Sequence, residues 1–537
     1  MCSDQTAITP VARKLPGIPE PAVFGGLLCL LLVMTATPAM AAGKQFAFTD
    51  VVAKAQKLAS GPWHKSGKVP GFLGKLSYSR YEKIQLKPKQ WLWSGNRSRF
   101  QVGPISPGYL YAHTVRLHVV DRSGVHDVTY DKNAFSYPSR QLRHKIPADL
   151  GYAGFQISYP FGKGRANRQS FLVFLGATYF RGLSRGEVFG ASARGIAVDT
   201  SLPSGEQFPR FTQYWLVRPD RKARAMKLYA LMQGRSLTGA YRFIIYPGSP
   251  TRVRVKAVLF TRHKIKLLGI APLTSMFLYG SNTPRPADNW RVQVHDSGGL
   301  LVHNGTGEWL WRPLLNPQHL QTYYFDARNP KGFGLLQRET RFSMYQSLAA
   351  RYDERPSLWV QPDSKWGKGH VVLVEIPSHS NNNDNIDAFW GPDSPVGKGQ
   401  RLSFGYTLTF GRPDIPGEPM GHAASTRIGI VSKTHRANPP KGAYHINVDF
   451  AGGRLKGLSP NAQVMGVVSA QNGGKVLEHY VQYIPPLHQW RLDIVARPGA
   501  PDKALRLRAF LKTGKRTLTE TWSYQLPPDN GIRKAGK

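Results

Sequence analysis

Residues Thr251 to Phe260 read TRVRVKAVLF. Val253, Val255 and Ala257 fall on one face of an extended chain, with Arg252, Arg254 and Lys256 on the other. That is the two-residue period of a strand with one face buried. Similar short runs recur at Gly239–Gly248, Gly369–Pro377 and Arg401–Phe410, each ended by glycine or proline. With 41 prolines and 54 glycines available for turns, short strands with regular punctuation predict an all-β protein built as a sandwich. One early segment breaks the pattern. Phe48–Ser60 (FTDVVAKAQKLAS) places Val51, Val52, Ala55 and Leu58 on one helical face, with Thr49 or Asp50 available as a cap.

The strand pattern is interrupted at Gly411–Ser425, where three prolines and three glycines cluster. It resumes as AYHINVDFAG, QWRLDIVARP, LRLRAFLKTG and TETWSYQL. The expected organisation is a large N-terminal β-sandwich over 43–412, a linker over 413–423 and a small immunoglobulin-like sandwich over 424–530.

The first 41 residues read as an export signal. Arg13 and Lys14 precede the apolar run Ala22–Met34, and Ala39-Met40-Ala41 offers a cleavage motif. The run is short for a retained membrane anchor, and no later stretch is long enough to span a bilayer. An exported protein cleaved near Ala41/Ala42 is expected, not an integral membrane protein. Both cysteines, Cys2 and Cys29, lie in that signal. The mature chain then has no thiol nucleophile, no thiolate zinc site and no disulfide. Its 537 residues are enough to build a core without one.

The net charge is +40. Such an excess attracts anionic partners, but it is spread thinly, without a polybasic block or a nucleic-acid motif. A basic solvated surface and attraction to an anionic glycan or membrane both remain open, and nucleic acid is not expected. No metalloprotease, nucleophile-elbow or P-loop pattern occurs. FGKGRANR (Phe161–Arg168) is a weak phosphate-loop candidate. No metal site and no cofactor are expected.

Six of the twelve tryptophans lie between Trp290 and Trp390, among Asp296, Glu308, Asp353, Glu354, Glu375, Asp384 and Asp387. Aromatic rings stack on sugar faces, and carboxylates bind hydroxyls or exchange protons with glycosidic oxygens. The mixture suits a glycan cleft, with Glu308, Trp309, Trp359, Glu375 and Trp390 as candidate sugar contacts. Each tryptophan also fits a core, and each aspartate also fits a turn. Asp353 and Glu354 between Arg351 and Arg355 suit an ion-pair cluster. Spacing alone promotes no pair of carboxylates above another.

Longer blocks carry more information. VFGASARGIAVDTSLPSGEQFPRF, VHDSGGL, NGTGEWLWRPLLNP, RYDERPSLWV, WGKGHVVLVEIP, NNDNIDAFW and LTETWSYQLP resemble the periplasmic glucans biosynthesis protein G/D family (OpgG/OpgD, or MdoG/MdoD) over nearly the whole mature chain. The resemblance implies a galactose-mutarotase-like large sandwich followed by an immunoglobulin-like one. It also implies a periplasmic role in glucan biosynthesis on a β-1,2-linked glucose backbone, beside the inner-membrane synthesis machinery. The lack of an Arg-Arg pair favours the G type. Members resemble inverting endo-β-1,2-glucanases, which makes Asp384 the general acid, Asp296 the general base and Tyr352 a proton-relay residue. Two features depart from the family pattern. Asp387 stands where an apolar residue is expected and would raise the pKa of Asp384. Asn381–Asn383 replace an expected acidic residue. The alternative is a non-catalytic protein that binds the glucan and hands it on.

Overall fold

The computed structural model describes residues 45–528 apart from 65–66, 68, 96–97, 163–166, 413–419, 432–437 and 439. The export signal, most of the 413–423 linker, the centre of FGKGRANR and the last residues of the 424–530 segment lie outside the described residues.

The described chain is nearly all β. A ten-stranded antiparallel sheet runs from Gln101–Ile105 through Arg168–Leu175 and Leu268–Ser275 to Ile386–Pro392, Gly369–Glu375 and Gln321–Asp326. A fifteen-stranded sheet contains Arg210–Val217, Met226–Gln233, Leu237–Tyr246, Thr251–Thr261 and Arg401–Gly411. Phe174 and Phe180 of the first sheet meet Phe243 of the second edge-to-face at 5.2 and 5.5 Å. The main core therefore lies between the sheets, and each fully buried phenyl contributes about 2 kcal/mol.

The Thr251–Thr261 strand alternates only in its first half: Val253, Val255 and Ala257 are buried, Arg252 and Arg254 are exposed, and every residue from Ala257 to Thr261 is buried. The helix explains the change. Phe48–Ser60 lies on the outer face, and its Val51 and Ala55 pack with Val258 and Phe260. Its cap differs from expectation. Ala47 occupies the N-cap position, and the Asp50 carboxylate accepts the Ala47 N–H at 2.7 Å, the reciprocal half of a capping box.

After the proline-rich break, His422–Ile430, Tyr444–Ala451, Gln489–Arg497 and Lys475–Ile484 form a four-stranded sheet. Met465–Gln471, Leu505–Thr513 and Thr521–Leu526 instead extend the fifteen-stranded sheet, where Trp522 pairs in parallel with Trp311. A second core fills the space between, and Trp309, Trp311 and Trp359 belong to it. Arg338 caps the Trp311 ring at 3.7 Å and pairs with both oxygens of buried Glu520, at 2.6 and 2.8 Å.

Candidate functional site

The Leu268–Ser275 strand runs beside Ile386–Pro392, with Ser275 opposite Ile386. The chain then turns through Met276 into Phe277–Tyr279, where Phe277 pairs with His295. The Asp296 N–H donates to the Met276 carbonyl at 2.8 Å. Buried Asn385 grips Phe277 from the other side: its Oδ1 accepts the Phe277 N–H at 2.8 Å and its Nδ2 donates to the Phe277 carbonyl at 3.0 Å. Asp384 and Asp296 therefore flank the same two residues. The asparagine after Asp384 is the clamp that holds its loop in place.

Two arginines serve the two carboxylates. Arg181 Nη2 donates to Asp384 Oδ2 at 2.7 Å, at a partly exposed position. Arg355 Nη1 pairs with Asp296 Oδ1. Tyr352 is buried, and the Arg355 guanidinium lies 4.4 Å from its ring centre. The Tyr352 hydroxyl accepts a hydrogen bond from Asn381 Nδ2 at 2.8 Å. The contacts run from Asp296 through Arg355 and Tyr352 to Asn381, in the loop that carries Asp384. All three predicted catalytic residues come together.

Burial pushes the Asp296 carboxyl up to about 6, and the negative charge of Asp384 adds to the rise; Arg355 and Arg181 oppose it. Neighbouring His295 is fully buried and pushed down to about 4, so it is neutral near pH 7. Its Nε2 meets Gln293 Oε1 at 2.6 Å.

A Cβ added at Gly190 would stand 2.9 Å from the Arg355 Cβ and 3.0 Å from its Cδ. Gly190→Ala is therefore expected to displace Arg355 and raise the Asp296 pKa above about 6, by on the order of one unit. Carboxyl 13C NMR of aspartate-labelled protein checks this. An unchanged Asp296 titration would show that Arg355 does not set it.

The other candidates lie elsewhere. Glu308 sits beside the second core, where Arg508 pairs with it and the Thr521 hydroxyl donates to it at 2.9 Å. Trp309 is sandwiched between His303 at 3.9 Å and Trp359 at 5.9 Å, and both indoles are buried in that core. Trp390 is 1% exposed and donates to the Ala327 carbonyl at 3.0 Å, which leaves no face for a sugar. Glu375, expected at the surface or in the cleft, is fully buried and accepts the Leu315 N–H at 2.7 Å. Asp387 faces Thr274 and Arg194, at 2.8 and 3.4 Å, so its charge is compensated away from Asp384. Of the expected ion-pair cluster, Arg351 pairs with Glu354, whereas Arg355 turns to Asp296. Arg168, from the phosphate-loop candidate, donates to the Arg99 carbonyl at 2.9 Å.

The aromatic face near Asp384 comes instead from tyrosines. Tyr81 lies 6.2 Å from Tyr109 and 5.7 Å from Tyr111, and exposed Tyr78 meets Tyr109 at 5.8 Å. Tyr111 is within electrostatic reach of both Arg181 and Asp384. The signal for this cluster was SPGYLYAH, a Pro-Gly turn followed by two tyrosines that bracket an exposed leucine.

An all-β sandwich with paired aspartates and a tyrosine-lined approach defines a carbohydrate-active class of site. The family model for the periplasmic glucan biosynthesis protein MdoG matches residues 46–526, and the chain belongs to that family. It is 41% identical to glucans biosynthesis protein G of Ralstonia nicotianae over 502 residues, 93% of this chain and 99% of that protein. The protein G of Pseudomonas aeruginosa is 40% identical over 509 residues (93% and 97%), and that of Dickeya dadantii 39% over 487 (90% and 93%). Among the described residues no helix is long and apolar enough to cross a membrane.

Proposed function

We propose that this protein is exported to the periplasm and cleaves a β-1,2-linked glucan there as an inverting endo-glucanase. Asp384 is the general acid, Asp296 the general base and Tyr352 a relay residue. The observation that carries the reading is the pair of aspartates flanking Met276–Phe277, close enough for the charge of one to raise the pKa of the other. In the reaction Asp384 protonates the glycosidic oxygen as the bond to C1 breaks. Water attacks C1 from the opposite face and gives its proton to Asp296, directly or through a hydroxyl. A base titrating at about 6 is largely ionised near pH 7 yet more basic than an ordinary aspartate. A general acid must carry a proton, and in the free protein Asp384 is the anionic half of an ion pair with Arg181. Sugar binding must open that pair and desolvate Asp384. Division of the chain at 412/424 and processing near Ala41/Ala42 belong to the same proposal.

That ion pair is also what favours a second reading, in which the cleft only binds nascent glucan and passes it to the inner-membrane machinery. Incubation with linear β-1,2-glucan separates the two. Cleavage predicts shortened products with an inverted anomeric centre, lost in Asp384→Asn while glucan binding persists. Tight binding without turnover anywhere between about pH 5 and pH 8 would instead establish the binding role.

A further inference from the structure

A second cavity, of about 660 Å³, opens where the Arg210–Val217 strand begins and the Gly234–Arg235 turn comes alongside. Its walls carry two aromatic rings, Trp63 and Phe208, both partly exposed. They also carry four basic side chains, His64, His113, Arg210 and Arg235, and no carboxylate. The polar amides of the wall are already engaged. Gln207 takes the Ser236 hydroxyl at 2.8 Å, and Gln233 donates to the Thr212 hydroxyl at 3.2 Å. The cations are left for a ligand.

Arg210 is the unusual group. The buried arginines Arg194 and Arg312 face carboxylates. Arg210 is partly buried, and no carboxylate among the described residues pairs with it. A desolvated guanidinium without a counter-ion is costly unless a ligand supplies one. The cavity also touches the machinery around Asp384. Arg194 lies 5.2 Å from the Phe208 ring centre and pairs with Asp387 in the strand that follows Asp384.

We propose that this cavity binds an anionic substituent, a phosphate or carboxylate ester, carried on a sugar chain. Trp63 and Phe208 take the apolar faces of sugar rings, and Arg210 and Arg235 take the charge. The net charge of +40 adds long-range attraction for such a chain. That the sugar is a glucan rests on the function proposed above.

Calorimetric titration of the full-length mature protein at low salt tests it. The probes are a neutral β-1,2-linked glucooligosaccharide, the same chain with one phosphate ester, the same chain with one succinyl ester, and glucose phosphate. At least one charged chain is expected to bind about tenfold more tightly than the neutral one, and the pair of esters identifies the preferred anion. In the double variant Arg210→Gln/Arg235→Gln that preference is expected to fall below about twofold, with neutral-chain affinity unchanged. Equal wild-type affinity for charged and neutral chains, or a preference that survives the double variant, overturns the proposal. If the double variant unfolds at lower temperature, exposed Arg235→Gln alone must still lower the preference. If no oligosaccharide binds but glucose phosphate does, in an Arg210-dependent way, the glucan reading fails and the anion site stands.

Discussion

Asp296→Asn is expected to leave a folded protein that binds β-1,2-glucan but cleaves it roughly 10³-fold more slowly, the size of a lost general base. Asparagine keeps the shape, and its amide oxygen still accepts from Arg355, so the site should persist. What is lost is the ability to take a proton from water. The wild-type pH profile carries the same signature. Asp296 must be ionised to act, and burial raises its pKa to about 6. Activity (kcat/KM) should therefore rise as pH rises through about 6, not through the usual aspartate value near 3.8. A profile flat from about pH 4 upwards, or an Asp296→Asn variant with ordinary turnover, would remove Asp296 from the base role.

How much of this was legible differs by level. Strands were readable because each is short, alternating and closed by glycine or proline. The helix at Phe48–Ser60 was readable because its apolar face repeats cleanly. What could not be read was which face of a tryptophan-bearing strand is filled by another part of the chain. Trp309 and Trp359 look like sugar platforms only while the segment after Gly421 is out of view. Once Trp522 and Leu507 close over them, they are core. Trp390 is closed off likewise by Trp366 and Phe404.

The catalytic trio was recovered from long sequence blocks, since nothing in the spacing of Asp296, Tyr352 and Asp384 forces them together. Register does that, through Ser275 opposite Ile386 and Phe277 opposite His295. The counter-ions were missed for the same reason. Arg181 and Asp384 are far apart in sequence, and a charge pair across that separation leaves no local pattern. Asn385 was visible as a residue of the motif, but its clamping of Phe277 needed the backbone.

Glu375→Leu is expected to destabilise the protein by about 3–5 kcal/mol, the cost of leaving a buried charge without its partner. Arg312 is fully buried, 3.5 Å from Glu375 and held between the rings of Tyr323 at 4.8 Å and Tyr524 at 5.4 Å. Adding Arg312→Met should recover most of the loss, because an apolar pair of similar volume has no uncompensated charge. Denaturant unfolding of the single and double variants measures this, and a double variant as unstable as Glu375→Leu would show that packing dominates instead. The pH dependence gives an independent sign. Burial raises the Glu375 pKa from 4.5 to about 7, against the pull of Arg312. Between those values the folded state holds a proton that the unfolded state releases. The stabilisation this brings is complete below 4.5 and is lost as pH rises through 7. Glu375→Leu lacks that group, so its deficit against the wild type should be larger at pH 5 than at pH 8. A deficit that grows with pH would mean that the ion pair with Arg312, and not desolvation, governs the site.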